Sequence, residues 1–591
     1  MEHNQMTAAA STLIRPLPHD ARAISDWEWE RLAPYYARLN AVALTAQNVN
    51  AWLADWSQLS ALVDEAFQRL SAAMNQNTAD PVSEARYNRF SQDVYPQYEA
   101  AEQTLKEKLL ASEFVPAGFE IPLRNLRAEA ALFRQENLAL QTQEQKLEKE
   151  FDKVIGGEMI AWRGENLTPT QMLQYLQDPD RAARKAVWRA ILDARLANRA
   201  TLNALWTRQL ELHLQMAKNA DCVLPDGSGD YRAFRWRQYL RFDYTPDDCK
   251  QFARAIETVV VPAATRLYEK YRARLGVETL RPWDLQGPMG FFTAAPTAAT
   301  EPLRPFQSAA ELTAKCADIF YDVDPELGAL FDRMRAEQLL DLANRPHKAP
   351  GAYCQSYEYA RVPFIFQNAV GTHEDVQTLL HETGHAFHAF ESFALPYVQQ
   401  YAVPLEFCEV ASMSMEFFGA PYLQRAGGFY NAADAARARV EKLETTLLFW
   451  PYMAVVDLFQ HWVYENPHHA ADPKNCDAQW GALWERFMPG VDWNGLEEER
   501  VTGWHRKLHI FTSPFYYIEY GMAQLGAVQL WANALRDQKA AVRAYRRALA
   551  LGYTVTLPEL YRAAGAEFIF DAEHLQQAVM LLENTIETLE A

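Results

Sequence analysis

A mainly α-helical protein with a small β element is what this sequence predicts, on three observations. Stretches rich in Ala, Leu, Glu, Gln and Arg recur with apolar residues three and four apart, as from Asn125 to Lys153 and from Asp180 to Lys218. Gly and Pro are sparse from Ile24 to Lys218. Two short apolar, β-prone runs, Gly351-Ala352-Tyr353-Cys354 and Val362-Pro363-Phe364-Ile365-Phe366, are flanked by Pro and Gly and read as strands. At 591 residues the chain exceeds what a single core usually reaches, so two or more lobes are expected.

Taken in order, residues 1–20 read as a flexible tail and 21–200 as an N-terminal helical lobe. Residues 201–591 read as a second domain that carries the motif described below. Clustered Gly and Pro predict loops at Leu224 to Gly229 and Arg281 to Pro305, with helix between them from Asp247 to Leu275. The Gly227-Ser228-Gly229 loop has no strand before it and no Lys after it, so it is a turn rather than a phosphate cradle. A further helical stretch is predicted from Ser308 to Asn344, then the two strands, then helices from Glu374 to the C-terminus. There is no internal repeat and no low-complexity tract.

Composition excludes several classes. Hydrophobic residues at 49% and charged residues at 23% suit a folded globular chain. With 57 Lys and Arg against 76 Asp and Glu, the net charge is -19, and no basic block interleaves with aromatics, so nucleic acid is not an expected partner. The six cysteines are scattered without a C-x-x-C pair, which fits a reducing compartment. No basic-then-apolar signal opens the chain, and no stretch approaches the ~18 apolar residues of a membrane span. No membrane partner and a cytoplasmic location are therefore expected. Nothing in the sequence fixes an oligomeric state.

The chemistry sits at His381-Glu382-Thr383-Gly384-His385, an H-E-x-x-H run. On a helix, residues four apart share a face, so both imidazoles can reach one ion. Neutral imidazole suits zinc, at about 2.0–2.1 Å. Glu382 lies about 100° round the helix from His381, beside the metal, within reach of a water on it. Zinc lowers the pKa of such a water toward ~7, and the carboxylate can take its proton. Val376, Leu379, Leu380, Ala386, Phe387, Ala389 and Phe390 support a buried helix from Asp375 to Phe393. Gly384 costs that helix roughly 1 kcal/mol against Ala, which close approach by the metal or a neighbouring segment would justify.

A zinc peptidase needs a third protein ligand and an open position. The next helical segment, Pro404 to Phe418, offers Glu406, Glu409 and Glu416, and spacing does not choose among them. Glu409 and Glu416 are seven apart and share a face, among apolar residues that would make an uncompensated carboxylate costly. Glu416, or less directly Asp375, could hold the free N–H of a ligand imidazole. His468 and His469 read as solvent-exposed, His388 as rotated off the ligand face, and His461 and His505 as either supporting donors or packed core.

The chain resembles the oligoendopeptidase F family of thimet oligopeptidase-like zinc peptidases. The resemblance runs through Gly351 to Cys354, Pro363 to Phe366, Gly371-Thr372, Asp375-Val376, the H-E-x-G-H helix, Glu409-Val410-Ala411-Ser412, Phe459 to Tyr464, and His509 through Pro514 to Tyr520. It is strong from about residue 200 to 580 and general in the N-terminal helices. It implies two helical lobes around a deep substrate channel that admits short peptides. It also implies one zinc per chain, held by His381, His385 and Glu409, with Glu382 as general base. His509, Tyr517 and Tyr520 would face substrate, where a hydroxyl or ring N–H aimed at the oxyanion can be worth ~10²–10³ in rate. Cys354 and Phe364–Phe366 would line the cleft, the latter as a strand edge pairing with an extended peptide. The activity so implied is that of an endopeptidase. A carboxypeptidase or dipeptidyl carboxypeptidase would use the same site, and a non-catalytic helical peptide-binding protein is the alternative outside enzymes.

Overall fold

Caps and prolines decide where the long predicted helices divide. The computed structural model describes residues 14, 16–287, 289, 292–295 and 303–591. Most of the expected tail over 1–20 and part of the 281–305 loop therefore lie outside the described residues. The stretch from Asn125 to Lys153 spans two helices, Glu120–Leu132 and Gln135–Gly156. The stretch from Asp180 to Lys218 divides into Arg181–Ala197 and Arg199–Asn219, the first capped by Asp180, whose carboxylate accepts the Ala182 N–H.

The helical stretch expected from Ser308 to Asn344 is two helices that end in a strand. Ser308 caps Ala309–Val323, and Asp324 caps Pro325–Ala336 by accepting the Glu326 and Leu327 N–H groups. Pro325 lacks an N–H and pushes residue 324 out of helical geometry, which forces the break. Gln338, at φ 57°, then turns the chain into the strand Leu340–Ala343.

The chain forms two units, each assembled from separated stretches. One combines the chain up to Ala131 with Arg304–Asn431 and Gly526–Phe568; the other combines Leu132–Leu303, Ala432–Leu525 and Ile569–Ala591. No helix among the described residues is long and apolar enough to cross a membrane.

In the first unit, the N-terminal helices Trp29–Ala41, Val49–Gln76 and Tyr95–Ala111 bury Trp52, Trp56, Leu59, Leu62 and Tyr98 in a common core. A three-stranded sheet follows, with Val362–Ala369 in the middle, parallel to Leu340–Ala343 and antiparallel to Tyr353–Tyr357. It packs on the helix His373–Ser392, so the predicted β element does lie beside the motif helix. That helix packs in turn on Leu405–Gly419. Gly384 is a point of close approach: a Cβ built there would stand 2.6 Å from Ser412 Cα and 2.7 Å from the Ala411 oxygen.

The second unit centres on the long helix Ala432–Glu465, which packs against Pro473–Phe487 and Ala572–Glu590. Trp206, Trp480, Trp484 and Trp504 are among its fully buried side chains. A short antiparallel pair, Ile160–Trp162 with Glu165–Leu167, turns at Arg163 and Gly164, both at positive φ. Arms of three residues are too short for alternation to mark in sequence.

Candidate metal centre

Thr372 starts the motif helix. Its hydroxyl accepts the Asp375 N–H at 3.3 Å, and Asp375 Oδ2 accepts the N–H groups of Val370, Gly371 and Thr372 at 2.9, 2.9 and 2.8 Å. Asp375 is thus a helix cap, and the alternative role of orienting an imidazole does not fall to it.

From that start, His381 and His385 lie one turn apart on one face, with ring centroids 5.0 Å apart. The helix Leu405–Gly419 brings Glu409 opposite them, its Oε2 at 3.3 Å from His381 Nε2 and 3.9 Å from His385 Nε2. One donor atom from each of the three residues falls within 4.8 Å of the others. Of the glutamates that spacing left open, Glu409 is the one that meets both rings. Glu416 Oε1 lies 2.9 Å from His381 Nδ1, and Glu406 is buried in the neighbourhood of Tyr561. Ser412, named in the sequence only as part of the Glu409 segment and given no role, donates its hydroxyl to Glu409 Oε2 at 3.0 Å.

The donors fit a zinc-type ion. Two imidazole nitrogens and one carboxylate oxygen form the ligand set of a metal site with an open position. The remaining nitrogen of His381 is held by a carboxylate, which fixes the ring and its tautomer. The His381 and His385 side chains are 25% and 22% exposed, so the fourth position is reachable, whereas Glu409 is only 8% exposed.

The electrostatics are those of a site arranged around positive charge. Burial drives the His381 imidazole toward neutrality, but its hydrogen bonds to Glu409 and Glu416 more than offset this and lift it to about 10. Burial lowers His385 to about 4. Burial alone would raise Glu409, yet His381, His385 and the Ser412 hydroxyl pull it down to about 2. Glu382 is buried beside this set. Burial raises it to about 7, with His381 opposing, Glu409 adding, and a backbone hydrogen bond from Cys354 opposing.

Cys354 lies on the strand Tyr353–Tyr357, at the sheet's edge. The expectation that Phe364–Phe366 forms the edge is corrected: it lies in the middle strand, with partners on both sides, and all three side chains are buried. Its backbone groups are committed to its neighbours, so no added peptide can pair with it.

In the second unit, His509, Tyr517 and Tyr520 form one aromatic cluster. The His509 ring lies 5.0 Å from Tyr517 and 5.9 Å from Tyr520, and the two tyrosines are 5.5 Å apart. Tyr517 just precedes the helix Ile518–Leu549, and Tyr520 lies in its first turn. Burial, with Lys507 adding, lowers His509 to about 3, and burial pushes the Tyr517 hydroxyl well up. Lys507 escaped the sequence reading; its ammonium stands 3.7 Å from the centre of the Tyr517 ring. As expected, His468 and His469 are exposed, though on a short helix, Pro467–Ala470. His388 packs edge-on to Phe407, and His505 Nε2 lies 2.7 Å from Asn203 Oδ1.

Two imidazoles and a carboxylate converging from adjacent helices, with a second carboxylate beside them, define the site class of a metallopeptidase. The chain belongs to peptidase family M3: the family model matches residues 174–580, and the model of the peptidase M3 N-terminal domain matches 27–118. It is accordingly a metallopeptidase that acts on peptides. Among solved structures, PZ peptidase A with inhibitor 2 is 27% identical at a TM-score of 0.83, over 96% of this chain and 99% of that one. A structure assigned as oligoendopeptidase F is 26% identical at a TM-score of 0.83, over 95% of this chain and 97% of that one. Another so assigned, from Bacillus anthracis str. Ames, is 24% identical at 0.79, over 95% and 98%, and shares the fold. These relatives bear out the expected resemblance to oligoendopeptidase F. No curated protein matches the chain.

Proposed function

We propose that the protein is a zinc-dependent endopeptidase that hydrolyses internal bonds of short peptides. One zinc per chain would be held by His381, His385 and Glu409. The observation that carries this reading is the convergence of those three donors, with Glu416 bonded to the far nitrogen of His381. Zinc, when bound, supplies Lewis acidity toward the scissile carbonyl and acidifies a water at the open position. Glu382 takes the proton of the attacking water and later passes it to the leaving amine. The Cys354 backbone keeps the Glu382 carboxylate beside the ligand set. For His509, Tyr517 and Tyr520 we infer hydrogen bonding to the substrate carbonyl, a role that rests on the family resemblance and on their clustering.

The test is cleavage of a capped, internally quenched peptide of ten residues by wild type and by Glu382→Gln, with zinc counted on both. Cleavage at an internal bond by wild type, its loss by about 10²–10⁴ in the variant, and equal zinc in both are expected. Cleavage only after the C-terminal cap is removed would replace the endopeptidase reading with a carboxypeptidase one. Zinc without cleavage of either substrate would leave a peptide-binding protein.

A further inference from the structure

A second cluster of metal-ligating side chains lies in the other unit, where none was expected. Asp457 and His461 occupy positions i and i+4 of the long helix Ala432–Glu465, so both project from one face. Cys249 reaches them from the helix Pro246–Ala255, which packs on that face. One ligating atom of each lies within 4.8 Å of the others.

The burial is extreme. Cys249 is 0% exposed, and Asp457 and His461 are 1% exposed. Neither oxygen of Asp457 and neither ring nitrogen of His461 makes a hydrogen bond within the described residues. Asp457 Oδ2 and His461 Nε2 stand 3.3 Å apart, out of hydrogen-bonding alignment. The His461 ring is walled by Trp236 and Phe515, at centroid distances of 5.8 and 5.2 Å. The buried cation of this region, Arg241, lies over Trp236 and is already engaged by Glu519 at 2.6 Å.

A carboxylate and an imidazole so buried without hydrogen bonds are costly, by several kcal/mol for an ionised carboxylate. One ion removes that cost for both groups, with the Cys249 sulfur as a further donor. A thiolate, a carboxylate and a neutral imidazole around a divalent cation sum to zero charge, which suits a site without solvent. Sulfur, nitrogen and oxygen together are the donors of zinc, and the two unpaired oxygens of Asp457 bring the donor atoms to the four that a closed site needs. Ligands on one tetrahedral ion stand about 3.3–3.7 Å apart, given bond lengths of about 2.0–2.3 Å. Asp457 Oδ2 and His461 Nε2 already stand at 3.3 Å, and all three donors lie within 4.8 Å of one another.

We propose that Cys249, Asp457 and His461 form a second, structural zinc site that cross-braces the helices Pro246–Ala255 and Ala432–Glu465. It differs from the peptidase centre in its unit, its burial and its thiolate.

The thiolate provides the test. The full-length protein is expressed in cobalt-supplemented minimal medium, so that both sites load during folding. Metal is counted by mass spectrometry, and the near-ultraviolet sulfur-to-cobalt charge-transfer band is recorded. Two cobalt ions per chain and a thiolate band are expected in wild type. Cys249→Ser should remove the band and one ion, and Asp457→Asn should remove one ion. Glu409→Ala should lose the other ion and keep the band. One ion per chain and no band in wild type overturns the proposal even if the Cys249 and Asp457 variants fail to fold. A band that survives Cys249→Ser overturns it equally, because the sulfur would then come from another cysteine.

Discussion

Replacing Gly384 with alanine should separate two effects that usually travel together. In an unencumbered helix the change gains up to ~1 kcal/mol. Here the new methyl would stand 2.6 Å from Ser412 Cα, 2.7 Å from the Ala411 oxygen and 3.1 Å from the Ala411 carbonyl carbon, where ordinary contact begins near 3.4 Å. The nearest atoms are all backbone, so no rotamer change relieves the contact, and the helices must part by about 1 Å. Overpacking of this kind costs ~1–3 kcal/mol, which set against the full propensity gain leaves a net loss of up to roughly 2 kcal/mol.

Metal binding should suffer more than stability. Gly384 precedes His385, and Ser412 bonds Glu409, so parting the helices opens the spacings of 3.3 and 3.9 Å between Glu409 and the two rings. A loss of zinc affinity on the order of 10–100-fold is expected, comparable to that for other disturbed ligand sets. Urea unfolding of the metal-free protein gives the first quantity, and competition with a chromophoric chelator gives the second. Gly156→Ala is the control: it closes the helix Gln135–Gly156, and an added Cβ there meets nothing within 4 Å. It should be neutral or stabilising. Gly384→Ala with wild-type stability and wild-type zinc affinity would refute the close-approach argument.

Glu416→Ala should weaken zinc by about 10–100-fold with the three ligands intact, because His381 Nδ1 loses its partner; unchanged affinity in the same competition assay would count against it. Without metal, Glu409 and Glu416 keep His381 protonated, at about 10. Zinc must then displace about one proton, and its apparent affinity should rise about tenfold per pH unit between pH 7 and 9; calorimetry in buffers of different ionisation heat reads the proton directly. A third test concerns Asp64, which burial raises to about 7, while the Tyr98 hydroxyl opposes at 2.8 Å and Glu99 adds. The folded state holds this proton more tightly than the unfolded chain, with its pKa near ~3.9. Stability from this group is therefore lost as pH rises from about 4 to 7. Asp64→Asn should gain on wild type by about 1–3 kcal/mol between pH 5 and pH 8 in urea melts, and a constant difference would count against it.

The candidate metal ligands on the motif helix were legible because helical periodicity acts within one segment. His381, Glu382 and His385 need only a helix to be placed, and their apolar neighbours guarantee one. Glu409 could be reduced to one of three glutamates, but choosing it required knowing which face of Leu405–Gly419 meets the motif helix. That face is set by Gly384, a packing contact that sequence spacing does not encode. The strand Val362–Ala369 was visible as an apolar run, yet its central place in the sheet was not. The run's neighbour, Leu340–Ala343, lay within a stretch that looked helical until Pro325 and the positive φ of Gln338 are considered. The Cys249, Asp457 and His461 cluster joins residues 208 positions apart (457 minus 249) and left no motif to read.

The assembly of the first unit from three stretches of chain has a consequence for biosynthesis. The Leu405–Gly419 helix, which carries Glu409, is anchored by the Tyr545 hydroxyl donating to the Ala411 oxygen at 2.9 Å. Gly526 packs against Val410 and Tyr561 on the same side. A nascent chain that has emerged only as far as residue 525 therefore holds every candidate metal ligand yet lacks the segment that supports one of their helices. Zinc binding there is accordingly expected to await the last part of the chain, and a truncation before residue 526 should weaken it with every candidate ligand intact.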